Sequence, residues 1–110
     1  MREREIEKLL VRYVKFLGGR AYKFVSPGNA GVPDRIVILP GGRVDFVELK
    51  TDTGQLSRIQ QAQINRLRSL GCNVSVVKGV QGLAVFFHLL RYPEIEKEIL
   101  EKYGGDADGV

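Results

Sequence analysis

Asp34, Glu48 and Lys50 are the residues of this chain whose types and spacing could do chemistry together. Glu48 and Lys50 stand two apart in the run Val44-Asp45-Phe46-Val47-Glu48-Leu49-Lys50, and side chains two apart on a strand project from the same face. Asp34 opens an earlier apolar run, Ile36 to Leu39, and hairpin pairing of the two runs would bring it beside them. The strand that ends in these opposite charges is mainly apolar, and charge near a core is costly unless it is paired or binds a metal. Two carboxylates converging on one point make a hard, oxygen-rich site suited to Mg2+ or Mn2+, with the Leu49 backbone carbonyl as a further oxygen. Such a metal could polarise a phosphodiester and lower the pKa of a bound water. Lys50 would then orient the nucleophile and offset developing negative charge. Taken singly, each residue has an ordinary role: Asp34 as a turn residue after Pro33, and Glu48 with Lys50 as a solvated ion pair.

The elements that must position these residues are readable from periodicity. From Arg2 to Leu17, apolar residues Ile6, Leu9, Leu10, Tyr13, Val14 and Leu17 recur at three- and four-residue intervals, predicting an amphipathic helix stopped by Gly18-Gly19. Arg20 to Val25 reads as a short strand, and Ser26 to Gly31 as a loop of turn formers. Only Pro40-Gly41-Gly42 separates Ile36–Leu39 from Arg43–Lys50, so these two strands form an antiparallel hairpin. Ser57 to Leu70 predicts a helix ended by Gly71, and Val74 to Val77 a further strand. Gln81 to Leu90 fits either a helix or a strand closing the core, with Val80-Gln81-Gly82 favouring a short helix. Pro93 to Tyr103 predicts a C-terminal helix, and Gly104 to Val110 a frayed tail. Helix, three strands, helix, strand is the order of an α/β fold, a mixed sheet with helices packed against it.

A length of 110 residues fits one domain with a modest core. With 44% hydrophobic and 27% charged residues, the chain is globular rather than disordered or fibrous. Lys and Arg outnumber Asp and Glu by 17 to 13, a net +4 that favours a polyanionic partner. The single cysteine, Cys72, excludes an intramolecular disulfide framework and a cysteine-based zinc site, and it fits a reducing compartment. Met1 to Lys8 has no apolar signal core and no segment approaches a membrane span, so a cytoplasmic location is expected, in a bacterial cell or a phage-infected host.

Gly31-Val32-Pro33-Asp34 followed by Glu48-Leu49-Lys50 resembles the PD-(D/E)XK nuclease signature, and the fuller pattern resembles its VRR-NUC branch. The matching positions run from the first helix through Val77: Gly18-Gly19, Lys23, Gly31 to Arg35, Gly41-Gly42, Glu48 to Lys50, Gly54, and Gln60 on the next helix. The resemblance implies a restriction-endonuclease-like mixed sheet flanked by helices, a divalent metal, and hydrolysis of DNA phosphodiesters. Residues 1–92 would be the nuclease domain, with the helix and tail of 93–110 belonging to the same unit. Short stand-alone members further imply a homodimer acting on branched DNA such as four-way junctions. By the same resemblance Asp34 and Glu48 are metal ligands, Lys50 is the catalytic lysine, and Gln60 joins the site. The family's helical glutamate falls among Glu3, Glu5 and Glu7, and Glu7 is chosen for its distance from Gly18. Lys23 and the Ser26 to Gly31 loop would border the site.

Ordinary explanations stand beside several of these roles. Gln60 lies beside Gln61 and Gln63 on a helix that could simply face water. Lys23, Arg35, Arg58, Arg66 and Arg68 are natural phosphate contacts as a group, yet each alone is ordinary surface charge. His88 has no second ligand at metal spacing and reads as a partly buried core histidine, while Cys72 packs at a helix–strand junction. The glycines match neither phosphate-loop pattern, so no nucleotide cofactor is expected. Two rivals share the fold: an inactive nucleic-acid-binding module, and a nuclease acting on RNA or simple duplex ends. The apolar residues of Val80 to Leu90 could serve a dimer contact or equally fill the monomer core.

Overall fold

The computed structural model describes residues 1–105 and builds eight elements around one sheet. Helix α1 spans Glu3–Phe16, and strands β1, β2 and β3 span Arg20–Lys23, Arg35–Leu39 and Arg43–Lys50. Helix α2 (Arg58–Ser69), strand β4 (Asn73–Lys78), helix α3 (Gly79–Leu89) and helix α4 (Pro93–Tyr103) follow. The strands lie in chain order, β1-β2-β3-β4. β1, β2 and β3 pair antiparallel through hairpin-type register, whereas β4 runs parallel to β3 because α2 carries the chain back across the sheet.

The two faces of this mixed sheet have different covers, and strand parity sorts the residues between them. Val37, Leu39, Val47, Leu49 and Val77 join Ile6, Leu10 and Val14 of α1 and Leu83 and Phe87 of α3 in one core. Ile95 and Ile99 bring α4 into the same core. Glu48 alternates with Val47 and Leu49 and therefore faces away from that core, toward α2. No helix among the described residues is long and apolar enough to cross a membrane.

Most boundaries follow the periodicity, and the departures have local causes. β1 ends at Lys23 rather than Val25, although the Phe24 N–H still donates to the Asp34 carbonyl at 2.9 Å. The segment that fitted either a helix or a strand is helix α3, which starts directly from β4 at Gly79. There φ is +65°, and a Cβ would collide with the Asp52 carboxylate, so only glycine allows strand to turn straight into helix. His88 is not a core histidine: its side chain is 61% exposed and Nδ1 lies 2.9 Å from Glu96 Oε1. The helical period explains this, since Val80, Leu83, Ala84 and Phe87 occupy the inward stripe of α3 and leave position 88 outside. The same stripe fills the monomer core with most of the apolar residues of 80–90, leaving Val85 and Leu89 exposed. Cys72 sits half-buried between α2 and β4, as its sequence neighbours suggest. Gly104 and Gly105 prolong α4 by a short 3-10 turn, and the remainder of the expected tail lies outside the described residues.

Candidate active site

The site forms where β2 begins and β3 ends. β2–β3 pairing closes with Arg35 opposite Val47, so Asp34 stands just beyond the ladder beside the last residues of β3. Its Oδ2 accepts a hydrogen bond from the Leu49 N–H at 2.8 Å, which takes the place of a β2 carbonyl. A strand residue offers N–H and C=O on the same side, so the Leu49 carbonyl faces the same gap beyond the end of β2. Asp34 is itself held from the other flank by the Phe24 N–H on its carbonyl, and Phe24 packs on Phe46 with ring centroids 5.6 Å apart.

Glu48 is 2% exposed, and its two oxygens have different surroundings. Oε2 accepts from Gln60 Nε2 at 3.1 Å and lies 3.4 Å from Lys50 Nζ. Oε1 is buried with no hydrogen-bond partner. Burial pushes the Glu48 carboxyl up to about 7, and the neighbouring Asp34 charge adds to the rise. Lys50 opposes it through charge and hydrogen bonding, while Glu3 adds a smaller push upward. A carboxylate in this position lacks positive charge, since one lysine faces two acids and an oxygen stands unpartnered in a dry setting.

That imbalance suits a divalent cation. The converging oxygens of Asp34, Glu48 and the Leu49 carbonyl are hard ligands of the kind Mg2+ or Mn2+ takes, with water completing the set. Among the described residues, no three acids, histidines or cysteines cluster closely enough to hold a metal alone. The backbone carbonyl and solvent would therefore have to contribute.

Gln60 reaches Glu48 because of how α2 starts. Ser57 caps the helix, accepting the Gln60 N–H at 3.1 Å, and Gln60 Oε1 accepts the Ser57 N–H at 3.0 Å. The spacing Ser57-x-x-Gln60 is the sequence pattern of a capping box. Gly31 lets the preceding loop press against this turn: at φ +85°, a Cβ there would run into the Ile59 side chain and come within 3.0 Å of the Gln60 nitrogen.

Other expected site residues are placed differently. Glu7 is not brought to the site; Arg35 Nε donates to its Oε2 at 2.7 Å, on the sheet face opposite Glu48. Position 7 lies one helical turn deeper than position 3, so it meets β2, whereas Glu3 in the first turn is the α1 acid whose charge reaches Glu48. Arg35 is likewise committed, donating also to the Ala21 carbonyl at 2.9 Å. Lys23 is exposed at the end of β1, Arg58 is exposed in the first turn of α2, and Ser26 Oγ accepts from Asn29 Nδ2.

A mixed four-stranded sheet carrying two acids and a lysine at the ends of adjacent strands, with helices on both faces, places the chain in the restriction-endonuclease-like class of α/β folds. The chain belongs to the VRR-NUC domain family, whose model matches residues 3–81. It is 49% identical over 77 residues to a protein named "Putative nuclease p44" from Acyrthosiphon pisum secondary endosymbiont phage 1, spanning 70% of this chain and 83% of that one. A solved structure described as a VRR_NUC domain superposes with a TM-score of 0.65 at 27% identity, covering 92% of this chain and 96% of the other. Another, described as a VRR_NUC domain protein, shares the fold with a TM-score of 0.64 at 19% identity, covering 86% and 90%.

Proposed function

We propose that this nuclease-family chain is a divalent-metal-dependent DNA endonuclease whose reaction site is Asp34, Glu48, Lys50 and the Leu49 carbonyl, supported by Gln60. The observation that carries this reading is the unpartnered, buried Glu48 Oε1 beside Asp34. A purely structural ion pair would be expected to satisfy both oxygens.

Each residue has a distinct task in the proposed hydrolysis. Asp34 and Glu48 would hold the cation, with Asp34 oriented by the Leu49 N–H and Glu48 by the Gln60 amide. A bound Mg2+ or Mn2+ supplies Lewis acidity toward a phosphate oxygen and acidifies water. Lys50, 3.4 Å from Glu48 Oε2, carries positive charge to the edge of the gap, where it offsets charge developing on the phosphate and orients the attacking water. Glu3 is the helical acid this reading assigns to the site in place of Glu7. Lys23, Ser26 and Arg58 are candidate contacts to the nucleic acid.

The likeness to stand-alone VRR-NUC members extends the proposal to a homodimer cutting branched DNA in the cytoplasm of a bacterial cell or a phage-infected host. A two-fold pair would present two reaction sites to two strands of a four-way junction. Residues 1–92 are read as the nuclease domain and 93–110 as part of the same unit, which the burial of Ile95 and Ile99 in the common core supports.

The test is cleavage of labelled four-way junction, flap, single-stranded and linear duplex DNA with Mg2+ or Mn2+, comparing wild type with Asp34→Ala and Lys50→Ala. Metal-dependent cutting lost in both variants is expected, with the junction cut in preference. Binding without cutting in either metal would replace this reading with that of an inactive module.

A further inference from the structure

Around the edge of the sheet from the reaction site, α1 and β1 enclose a cleft of about 360 Å³ lined by Arg4, Glu7, Lys8, Val11, Lys23 and Arg35. Four cations face one carboxylate there, and Glu7 is already paired to Arg35 at 2.7 Å. Arg4, Lys8 and Lys23 make no ion pair among the described residues. Arg4 and Lys8 are also an i, i+4 pair of like charges, an arrangement that costs a helix stability unless something anionic meets it.

The cleft is tied to the reaction site through chain neighbours. Arg4 follows Glu3, whose charge reaches Glu48; Lys23 precedes Phe24, whose N–H holds the Asp34 carbonyl; Arg35 follows Asp34. A strand leaving the reaction site past the start of β2 would therefore meet these cations next. We propose that Arg4 and Lys8 of α1, with Lys23 of β1, grip the sugar–phosphate backbone of the DNA substrate away from the scissile bond. Arg35 does not contact the phosphate; locked by Glu7 and the Ala21 carbonyl, it forms the floor of the cleft. The three free cations carry no base-reading geometry, so this grip adds affinity and orientation rather than sequence preference. The inference rests on the nuclease reading for the identity of the anion.

The experiment is fluorescence anisotropy of labelled linear duplex and four-way junction DNA, in chelator so that nothing is cut, across a range of salt. The proteins are wild type, Arg4→Ala/Lys8→Ala, the charge-conserving Arg4→Lys/Lys8→Arg, and Lys97→Ala on the distant α4 as control. The alanine pair is expected to weaken binding roughly tenfold and to flatten the slope of log K against log salt by about one unit per lost contact. The conserving pair and Lys97→Ala should keep the wild-type slope. An alanine pair with wild-type affinity and slope, or one matched by Lys97→Ala, overturns the cleft while leaving cleavage by the wild type intact. Conversely, a slope effect confined to the alanine pair in a protein that cuts no DNA retains the cleft and removes the nuclease reading. A wild type that binds neither DNA even at low salt removes the cleft, and the nuclease reading then stands or falls on metal-dependent cleavage alone.

Discussion

Gln60 and Glu48 share one hydrogen bond, Nε2 to Oε2 at 3.1 Å, and its direction is set from the far side of the amide. Gln60 Oε1 accepts the Ser57 N–H, which leaves Nε2 as the end that faces the carboxylate. One side chain thus closes the first turn of α2 and orients a buried acid on β3. Gln60→Leu should cost about 2 kcal/mol of stability, combining a lost cap with the loss of the amide partner of Glu48 Oε2, which would then have only Lys50 beside it. Urea unfolding checks this. A loss no larger than that of Gln61→Leu on the exposed neighbouring position would mean the Glu48 contact contributes nothing.

The raised Glu48 pKa gives a signed pH dependence. The ordinary value of 4.5 is pushed up to about 7, so the folded protein holds this proton more tightly than the unfolded chain. The stability it contributes is complete below about pH 4.5 and is lost as pH rises through about 7, a change of roughly 3 kcal/mol. In chelator, thermal stability should fall across that window in wild type more steeply than in Glu48→Gln. Added Mg2+ should stabilise the wild type most above the window, where the carboxylate is already ionised, and affinity for the cation should rise with pH. Parallel curves for the two proteins would show that Glu48 titrates elsewhere.

Lys50 and Asp34 push Glu48 in opposite directions, so their variants should separate. Lys50→Ala removes the one nearby cation and should raise the Glu48 pKa further, while lowering kcat roughly 10²- to 10³-fold through loss of charge beside the phosphate. Asp34→Asn keeps an acceptor for the Leu49 N–H and removes a like charge, so it should lower the Glu48 pKa while also losing activity. Carboxyl titration followed by NMR in the metal-free protein reads both shifts. Movement in the same direction would contradict the charge arrangement described here.

The placement of Asp34, Glu48 and Lys50 is legible in the sequence because strand parity and a short Pro-Gly-Gly turn leave little freedom between them. The antiparallel hairpin and the α/β order follow from the same local rules. The choice among the α1 acids is not legible in that way. Glu3 and Glu7 share a helix one turn apart, and only the height at which α1 crosses the end of the sheet decides which pairs with Arg35 and which adds its charge to the push on Glu48. His88 shows the same limit: its neighbours are apolar, but a one-residue step on α3 turns it from core to solvent. The role of Gly31 depends on a contact between a loop and a helix some thirty residues later, which no local pattern encodes.

Glu3 and Glu7 provide the last contrast, because the proposed site gives them separable duties. Glu7→Gln breaks the ion pair with Arg35, whose partners are both largely covered, and should cost about 1 kcal/mol while leaving kcat within about twofold. Glu3→Gln should leave stability nearly unchanged, being an exposed first-turn residue, yet reduce metal-dependent cleavage about tenfold and lower the Glu48 pKa slightly. Paired measurements of urea unfolding and cleavage rate read the two axes independently. If Glu7→Gln instead abolished cleavage at wild-type stability, the Arg35 pair would have to open during the reaction, and Glu7 rather than Glu3 would be the helical acid of the site.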